Sequence, residues 1–162
     1  MIWEELSPSI IYLDLDVKNT DEIFDYMGTK LIEQGYAKDS YVQALKDREK
    51  DFPTGIVMND DGLAIALPHT SVDYVNKSAT SIARLKNPVE FNVMGGNEDE
   101  TCSVNLVFML CVDDPNAHLE QLQRIVQIFQ DNAFLEKLSG ANSPEEVIDI
   151  FKNKEEELCQ KK

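Results

Sequence analysis

Ala64-Ile65-Ala66-Leu67-Pro68-His69-Thr70 is the stretch from which the fold and the site of this 162-residue chain can be worked out. Its apolar residues predict a short buried strand, and Pro68 ends that strand because proline cannot donate a hydrogen bond to a sheet. His69 follows directly and is one of only two histidines in the chain. We therefore expect His69 at a strand end, where its imidazole can meet a partner. A histidine at such a place can also be structural or merely exposed.

The composition is that of an ordinary globular chain. Hydrophobic residues make up 43% of the sequence, which is enough for a sizeable core in one domain. The net charge is −15, from 30 acidic and 15 basic residues. Such a surface repels nucleic acid and anionic membranes and favours basic protein partners, although it can also simply confer solubility.

The cysteines, the N-terminal residues and the lengths of the apolar runs indicate in which cellular compartment the protein is expected. Cys102, Cys111 and Cys159 show no CxxC spacing, and an odd number of cysteines without a signal peptide is typical of reduced thiols in a cytosol. The first residues lack the basic and apolar regions of a secretory signal. No apolar run approaches the roughly 18 residues of a membrane span. We expect a soluble, cytoplasmic protein that does not insert into a membrane.

Hydrophobic periodicity predicts strands that alternate with helices. Asn59 to Gly62 has the form of a hairpin turn, and Asn87-Pro88 that of a turn before a short extended piece at 89–91. The acidic loop from Gly95 to Glu100 is interpreted as solvated surface. The predicted strands are 9–15, 56–58, 63–67, 79–85 and 104–112, and the predicted helices are 19–35, 39 or 40 to 50, one from 115, and 143 to about 152. The run 104–112 is the most continuous and predicts a central strand buried on both faces.

Arg48 is unusual because it shares a helical stripe with apolar residues. Tyr41, Leu45, Arg48 and Phe52 recur at helical spacing. A guanidinium on a buried stripe needs an anionic partner, because burying it unpaired is costly. Alternatively, its stem packs while its head reaches water or a nearby carboxylate.

His118 lies in the first turn of the helix that follows the central strand. Asp114 is the predicted cap and Pro115 the first helical residue. Because His118 and Leu122 share a stripe with later apolar residues, His118 is expected to face inward. Ligands in α/β proteins gather where strands end and helices begin. The two histidines and Arg48 are therefore candidates for one cluster.

The chemistry that fits these residues is phosphoryl transfer. The sequence has no zinc-ligand pattern and no GxGxxG, GxxxxGK[ST] or GxSxG motif. A Cys–His pair is possible, but Cys102 and Cys111 lie in or beside a buried run, where thiols are inert. A neutral imidazole at His69 offers a free nitrogen to phosphorus. Arg48 could clamp phosphate oxygens, and His118, near the positive end of its helix, could stay neutral and donate a hydrogen bond.

Several segments resemble the enzyme IIA domain of the bacterial sugar phosphotransferase system, mannitol/fructose class. They are Arg48-Glu49-Lys50, Phe52-Pro53-Thr54-Gly55-Ile56 and Ala64-Ile65-Ala66-Leu67-Pro68-His69. The Phe-Pro-Thr-Gly-Ile form, with Lys77-Ser78-Ala79 and Asn87-Pro88-Val89-Glu90-Phe91, is most similar to the galactitol-type subunit. The match runs in order from about residue 5 to residue 152.

The resemblance implies a fold and a division of the chain. Residues 1–152 are expected to form a single compact α/β domain, with a mixed β-sheet flanked by helices on both sides. Residues 153–162 are expected to form a charged, frayed C-terminal tail.

The resemblance also implies a function. It implies that His69 accepts a phosphoryl group from the carrier HPr and passes it to a cysteine of a cognate enzyme IIB, during uptake of galactitol or a related polyol. It makes Arg48 the phosphate clamp, His118 the second active-site histidine and Thr54 a supporting residue. No metal, nucleotide or other cofactor is needed.

Three other interpretations remain open. The first keeps the phosphorylatable histidine but makes it a regulatory signal, as in the nitrogen-type relatives. The second is a non-catalytic module whose histidines and arginine hold an anion, and the third is a structural domain in which these residues are satisfied internally. The second predicts no covalent phosphoprotein, and the third a large loss of stability on His69→Ala.

Overall fold

The structure, a computed structural model, describes residues 1–58 and 63–160. The predicted hairpin turn from Asn59 to Gly62 lies outside the described residues. The strands are β1 Ile11–Leu15, β2 Gly55–Val57, β3 Ala64–Ala66, β4 Ala79–Asn92 and β5 Thr101–Cys111. The α-helices are α1 Thr20–Glu33, α2 Tyr41–Asp51, α3 Pro115–Phe129, α4 Asn132–Ser139 and α5 Pro144–Gln160. Short 3₁₀ helices span Ile2–Glu5, Pro8–Ile10 and Val72–Tyr74.

The five strands form one mixed sheet in the order β1-β4-β5-β3-β2. The pairs β1/β4 and β3/β5 are parallel, whereas β2/β3 and β4/β5 are antiparallel. β5 is the middle strand, and its residues 106–111 are all buried. The predicted central strand is therefore confirmed.

Helices cover both faces of this sheet, because alternate residues of β5 feed two separate cores. Val107 and Met109 pack with the apolar faces of α1 and α2. Leu106 and Phe108 pack on the other face with α3, α4 and α5. The predicted α/β class, with helices on both sides of a mixed sheet, is confirmed.

The helix ends follow the predicted signals where side chains supply the caps. Asn19 Oδ1 accepts a hydrogen bond from the Glu22 backbone N–H at 2.9 Å at the start of α1. Asp114 caps α3 by accepting from Asn116 N–H at 3.0 Å, with Pro115 at the first helical position. Gly35 follows α1 with φ +85°, a conformation that favours glycine.

The predicted turn at Asn87-Pro88 is wrong. β4 continues from Ala79 to Asn92, and its pairing with β5 shifts register between Arg84 and Val89. Pro88 falls within this irregular stretch. Because proline cannot donate to a ladder, a bulge accommodates it without ending the strand.

The predicted end of the last helix near Lys152 is also wrong, since α5 runs to Gln160. Glu155 is fully buried there and accepts hydrogen bonds from the backbone N–H groups of Ile2 (3.0 Å) and Trp3 (2.7 Å). These bonds tie α5 to the first 3₁₀ helix, so the expected frayed segment is helical through Gln160. The short helix α4 was not predicted at all.

None of the helices among residues 1–58 and 63–160 is long and apolar enough to cross a membrane.

Candidate active site

Four elements converge on one end of the sheet. Arg48 lies in the last turn of α2, Thr54 in the connection to β2, His69 just after β3, and His118 in the first turn of α3. Arg48, Thr54 and His69 line a common cavity of about 430 Å³. The rings of His69 and His118 meet edge to face, with centroids 4.8 Å apart and planes at 86°. The structure thus brings together all four residues singled out in the sequence.

His69 is buried, with 9% of its surface exposed, and its ring orientation is fixed by the backbone. Its Nδ1 lies 2.6 Å from the carbonyl oxygen of Leu67. A carbonyl oxygen can only accept, so Nδ1 carries the proton and donates. In a neutral ring the other nitrogen, Nε2, then holds a free lone pair.

The surroundings keep this imidazole neutral. Burial lowers the pKa of His69 to about 4, against the hydrogen bond to Leu67, and the nearby His118 and Arg48 lower it further. At neutral pH the ring is therefore uncharged. A neutral ring with an unprotonated Nε2 is the form that can act as a nucleophile.

His118 and Arg48 each present a buried polar atom to this region that has no partner. His118 Nε2 and Arg48 Nε are two of three buried side-chain polar atoms without a hydrogen bond in the described part of the chain. Burial lowers the pKa of His118, and the positive charge of Arg48 lowers it further. An unpartnered buried polar group is costly, so two of them beside one histidine indicate a site built for an anionic ligand.

The guanidinium of Arg48 stays available to such a ligand. Its central carbon lies 4.9 Å from the centre of the Phe52 ring, and Phe52 is 61% exposed. None of the ion pairs found among residues 1–58 and 63–160 involves Arg48. The alternative interpretation, in which a nearby carboxylate neutralises the Arg48 guanidinium, is therefore not supported by any of these ion pairs.

Thr54 has its hydroxyl engaged within the protein. The Thr54 N–H and Oγ1–H donate to Glu49 Oε1 at 2.9 and 3.0 Å, and Oγ1 also lies 3.0 Å from Oε2. Thr54 itself is 1% exposed. Although Thr54 lines the cavity, its hydroxyl hydrogen points to Glu49, so its supporting role is best understood through that carboxylate.

Two parts of the site were missed in the sequence. Met94, Gly95 and Gly96 line the cavity, whereas the sequence predicts only a solvated surface loop from Gly95 to Glu100 and gives no role to Met94. The adjacent glycines Gly95 and Gly96 are the sequence signal for an unusual backbone here. Gly95 indeed adopts φ +71°, a conformation that favours glycine. Glu49 gives no signal of its own in the sequence, because helical spacing does not reveal which threonine a carboxylate will reach.

Two of the three cysteines, Cys102 and Cys111, are poorly suited to act as nucleophiles. Cys102 and Cys111 are buried and free. Burial raises the pKa of both thiols, that of Cys111 to about 12. No group of three or more His, Cys, Asp or Glu side chains placed to hold a metal ion occurs in the described ranges.

A family model described as "Phosphoenolpyruvate-dependent sugar phosphotransferase system, EIIA 2" matches residues 5–154. The galactitol-specific EIIA component of Escherichia coli K12 is 32% identical over 117 residues, which is 72% of this chain and 75% of that protein. The probable licABCH operon regulator of Bacillus subtilis is 25% identical over 151 residues, or 92% of this chain. The chain spans only 22% of the length of that regulator.

Solved structures show the same fold. The complex of enzyme IIA and phosphorylated enzyme IIB for mannitol from Escherichia coli matches with a TM-score of 0.71 and 26% identity, covering 91% of this chain and 97% of that one. The nitrogen regulatory protein IIA-Ntr from Neisseria meningitidis matches with a TM-score of 0.72 and 29% identity, covering 92% and 97%.

Proposed function

The chain belongs to the EIIA 2 family of the phosphoenolpyruvate-dependent sugar phosphotransferase system, and we propose that it is a cytoplasmic phosphocarrier of that system. In this proposal His69 accepts a phosphoryl group from phospho-HPr and passes it to a cysteine of a cognate enzyme IIB. The observation that carries the proposal is the pairing of a neutral His69, whose Nε2 is free, with the two unpartnered polar atoms on Arg48 and His118.

The first step forms one bond and breaks one. The lone pair of His69 Nε2 attacks phosphorus, the N–P bond of the donor phosphohistidine breaks, and its electron pair returns to the donor nitrogen. No proton has to leave His69, because Nδ1–H remains bonded to the carbonyl of Leu67. The second step reverses this at the acceptor: the thiolate of enzyme IIB attacks phosphorus, and the electron pair of the broken bond returns to Nε2.

Arg48 and His118 stabilise the group in transit. Phosphoryl transfer asks the protein mainly for positioning and for charge stabilisation around the equatorial oxygens. The planar guanidinium of Arg48 supplies hydrogen bonds and positive charge. His118, in the tautomer protonated on Nε2, donates a further hydrogen bond from an atom that otherwise has no partner.

The net charge of −15 favours binding of a basic phosphoryl donor. HPr fits this requirement, because the family resemblance implies that HPr docks through basic residues. Opposite charges raise encounter rates without requiring tight binding. The sugar is proposed to be galactitol or a related polyol. This rests on the galactitol-specific relative and the Phe-Pro-Thr-Gly-Ile segment, and mannitol components of Escherichia coli match the chain as well.

The proposal is tested by intact-mass spectrometry after mixing the protein with phosphoenolpyruvate, enzyme I and HPr at neutral pH. We expect a single phosphoryl adduct on the wild type and none on His69→Gln. Adding the galactitol enzyme IIB should then discharge the adduct. A well-folded wild type that gains no adduct would exclude the carrier function and favour the anion-binding module.

A regulatory phosphoprotein is the second candidate, and it is favoured by the similarity to the licABCH operon regulator and to the nitrogen regulatory protein. It shares the phosphorylation of His69 with the first candidate. The two differ at the acceptor, since a purely regulatory protein keeps its phosphoryl group when a panel of sugar-specific enzyme IIB proteins is added.

A further inference from the structure

We propose that Glu49 is a positioning residue for this phosphoryl transfer: its carboxylate fixes the connection between α2, which carries Arg48, and β2, and through Thr54 it orients His69. The inference rests on the proposed function for its kinetic consequence. Its geometric part stands on contacts within the chain.

Glu49 holds the connection from the helix side. It lies in the last turn of α2, directly after Arg48. Its carboxylate accepts from both the backbone N–H and the hydroxyl of Thr54, at 2.9 and 3.0 Å. Residues 51–53 of the chain between them line the cavity beside His69. The carboxylate therefore closes the six-residue loop 49–54, whose shape sets one wall of the site.

Thr54 passes this restraint to His69 through the backbone. The carbonyl of Thr54 accepts from Leu67 N–H at 3.3 Å. The carbonyl of the same Leu67 accepts from His69 Nδ1 at 2.6 Å. The hydrogen bonds thus form one continuous chain, which runs from Glu49 through Thr54 and Leu67 to His69. A carbonyl that is held in place selects the Nδ1–H tautomer, and with it the free Nε2.

Glu49 does this without neutralising Arg48. None of the ion pairs among the described residues joins Glu49 to Arg48. Burial raises the pKa of Glu49, while the Thr54 hydrogen bonds and the Arg48 charge oppose that rise. The carboxylate is thus occupied by Thr54 and leaves the guanidinium free for the phosphoryl group.

The test compares Glu49→Leu, which removes the acceptor, with Glu49→Gln, which keeps one oxygen in its place. Glu33→Leu and Glu33→Gln on α1 are the matched controls, because the side chain of Glu33 is 59% exposed and Glu33 does not line the cavity. Three quantities are measured: the rate of phosphorylation by phospho-HPr, the tautomer of His69 by ¹⁵N NMR of the unphosphorylated protein, and the free energy of unfolding.

We expect Glu49→Leu to slow phosphorylation by about 10- to 100-fold, the cost of misplacing reacting groups. The fraction of His69 protonated on Nδ1 should fall in parallel. Glu49→Gln should restore both quantities to near wild type, and the Glu33 variants should change neither. A merely structural role would lower the free energy of unfolding but leave the tautomer and the rate of the folded protein unchanged.

The inference is overturned if folded Glu49→Leu keeps the wild-type rate and tautomer, or if Glu49→Gln is as slow as Glu49→Leu. Should Glu49→Leu fail to fold, Thr54→Val removes the hydroxyl donor alone and must show the same tautomer change in milder form. If wild type itself is not phosphorylated, the proposed function fails, whereas the tautomer measurement still decides whether Glu49 positions His69.

Discussion

At the scale of single residues, the site depends on one imidazole held neutral by its surroundings. His69 is buried beside a second histidine and an arginine, and its Nδ1–H donates a hydrogen bond to a main-chain carbonyl. A surface histidine with a pKa near 6.5 would be partly protonated in a cell and to that extent not nucleophilic. Burial removes this loss, and the hydrogen bond to Leu67 decides which nitrogen is free.

Burial of His69 makes the stability of the protein sensitive to acid. Its pKa falls from 6.5 to about 4 on folding, so between these values the unfolded chain binds more protons than the folded one. The His69 contribution is therefore complete above pH 6.5 and is lost as the pH falls toward 4, by about 3 kcal/mol in all. Glu5 and Glu49, whose pKa values burial raises, act in the opposite direction.

Comparing wild type with His69→Gln isolates this effect, because both proteins retain the two glutamates and His118. Unfolding by urea at a series of pH values from 7 to 4 should show a steeper loss of stability in wild type. Parallel curves for the two proteins would contradict a buried, neutral His69.

Arg48→Lys tests whether the site needs a planar, multidentate cation. Lysine keeps the charge but loses the Nε donor, which is buried and unpaired here. We expect the rate of phosphoryl acceptance to fall by about 100- to 1000-fold, as for loss of a transition-state donor. The unfolding free energy should change little. Arg124→Lys, in a different cavity, is the control and should transfer at the wild-type rate; equal rates for all three proteins would exclude a clamp at Arg48.

His69, His118 and Arg48 could be singled out in the sequence because each departs from a pattern of neighbouring residues, whereas Thr54 followed from the family resemblance alone. A proline before His69, an arginine on an apolar stripe and a histidine in a first helical turn are such departures. Glu49 and Met94 show no such departure. Glu49 reaches the site only because the six-residue loop 49–54 returns Thr54 to its carboxylate, and Met94 lines the cavity only because the fold brings its loop there.

At the scale of the elements, the site residues are placed by the ends of helices and strands. α3 positions His118 by its first turn, which Asp114 caps.

Asp114→Ala should lower the free energy of unfolding by about 1 kcal/mol and also slow phosphoryl transfer, because fraying of this turn displaces His118. Asn19→Ala removes the cap of α1, so it should cost a similar free energy and leave transfer unchanged. Denaturant unfolding and the phosphorylation rate separate the two effects, and equal rates for both variants would argue against a role for this turn.

β2 begins at a glycine that leaves no room for a side chain. A Cβ on Gly55 would lie 2.7 Å from the carbonyl oxygen of Asn92 and 2.8 Å from Cys102 Sγ. We therefore expect Gly55→Ala to destabilise the protein by about 1–3 kcal/mol through overpacking. Gly140→Ala is the control, since its Cβ would meet only ordinary contacts at 3.6 Å or more. A thermal melt of Gly55→Ala that matches the control would show that the sheet can open here without cost.

Two features that sequence patterns missed, the full length of β4 and that of α5, are decided by long-range contacts. Pro88 suggested a turn, but β4 pairs with β5 on both sides of the irregular stretch, and that pairing overrides the local signal. The charged end of the chain suggested fraying, but Glu155 accepts two backbone hydrogen bonds from the opposite end of the chain. Neither partner can be identified from neighbours in the sequence. The central strand and the caps of α1 and α3 were predictable because their signals are local.

At the scale of the whole molecule, the proposed function requires brief encounters with a basic carrier, and an acidic surface favours such encounters. The formal charge of −15 attracts such a partner over distances comparable to the Debye length. We expect the second-order rate constant for phosphorylation by phospho-HPr to fall steadily as the salt concentration rises from about 0.05 to 0.5 M. The unimolecular transfer step should change much less. A second-order rate constant that is independent of salt would mean that the charge serves solubility alone.

The most direct measurement is the nitrogen that carries the phosphoryl group, determined by ³¹P and ¹⁵N NMR on the protein phosphorylated by phospho-HPr. Because the carbonyl of Leu67 holds Nδ1–H of His69, we predict a phosphohistidine at Nε2 of His69, with Nδ1 still protonated. Phosphorylation at Nδ1, phosphorylation of His118 instead of His69, or no phosphohistidine at all would contradict the proposed site.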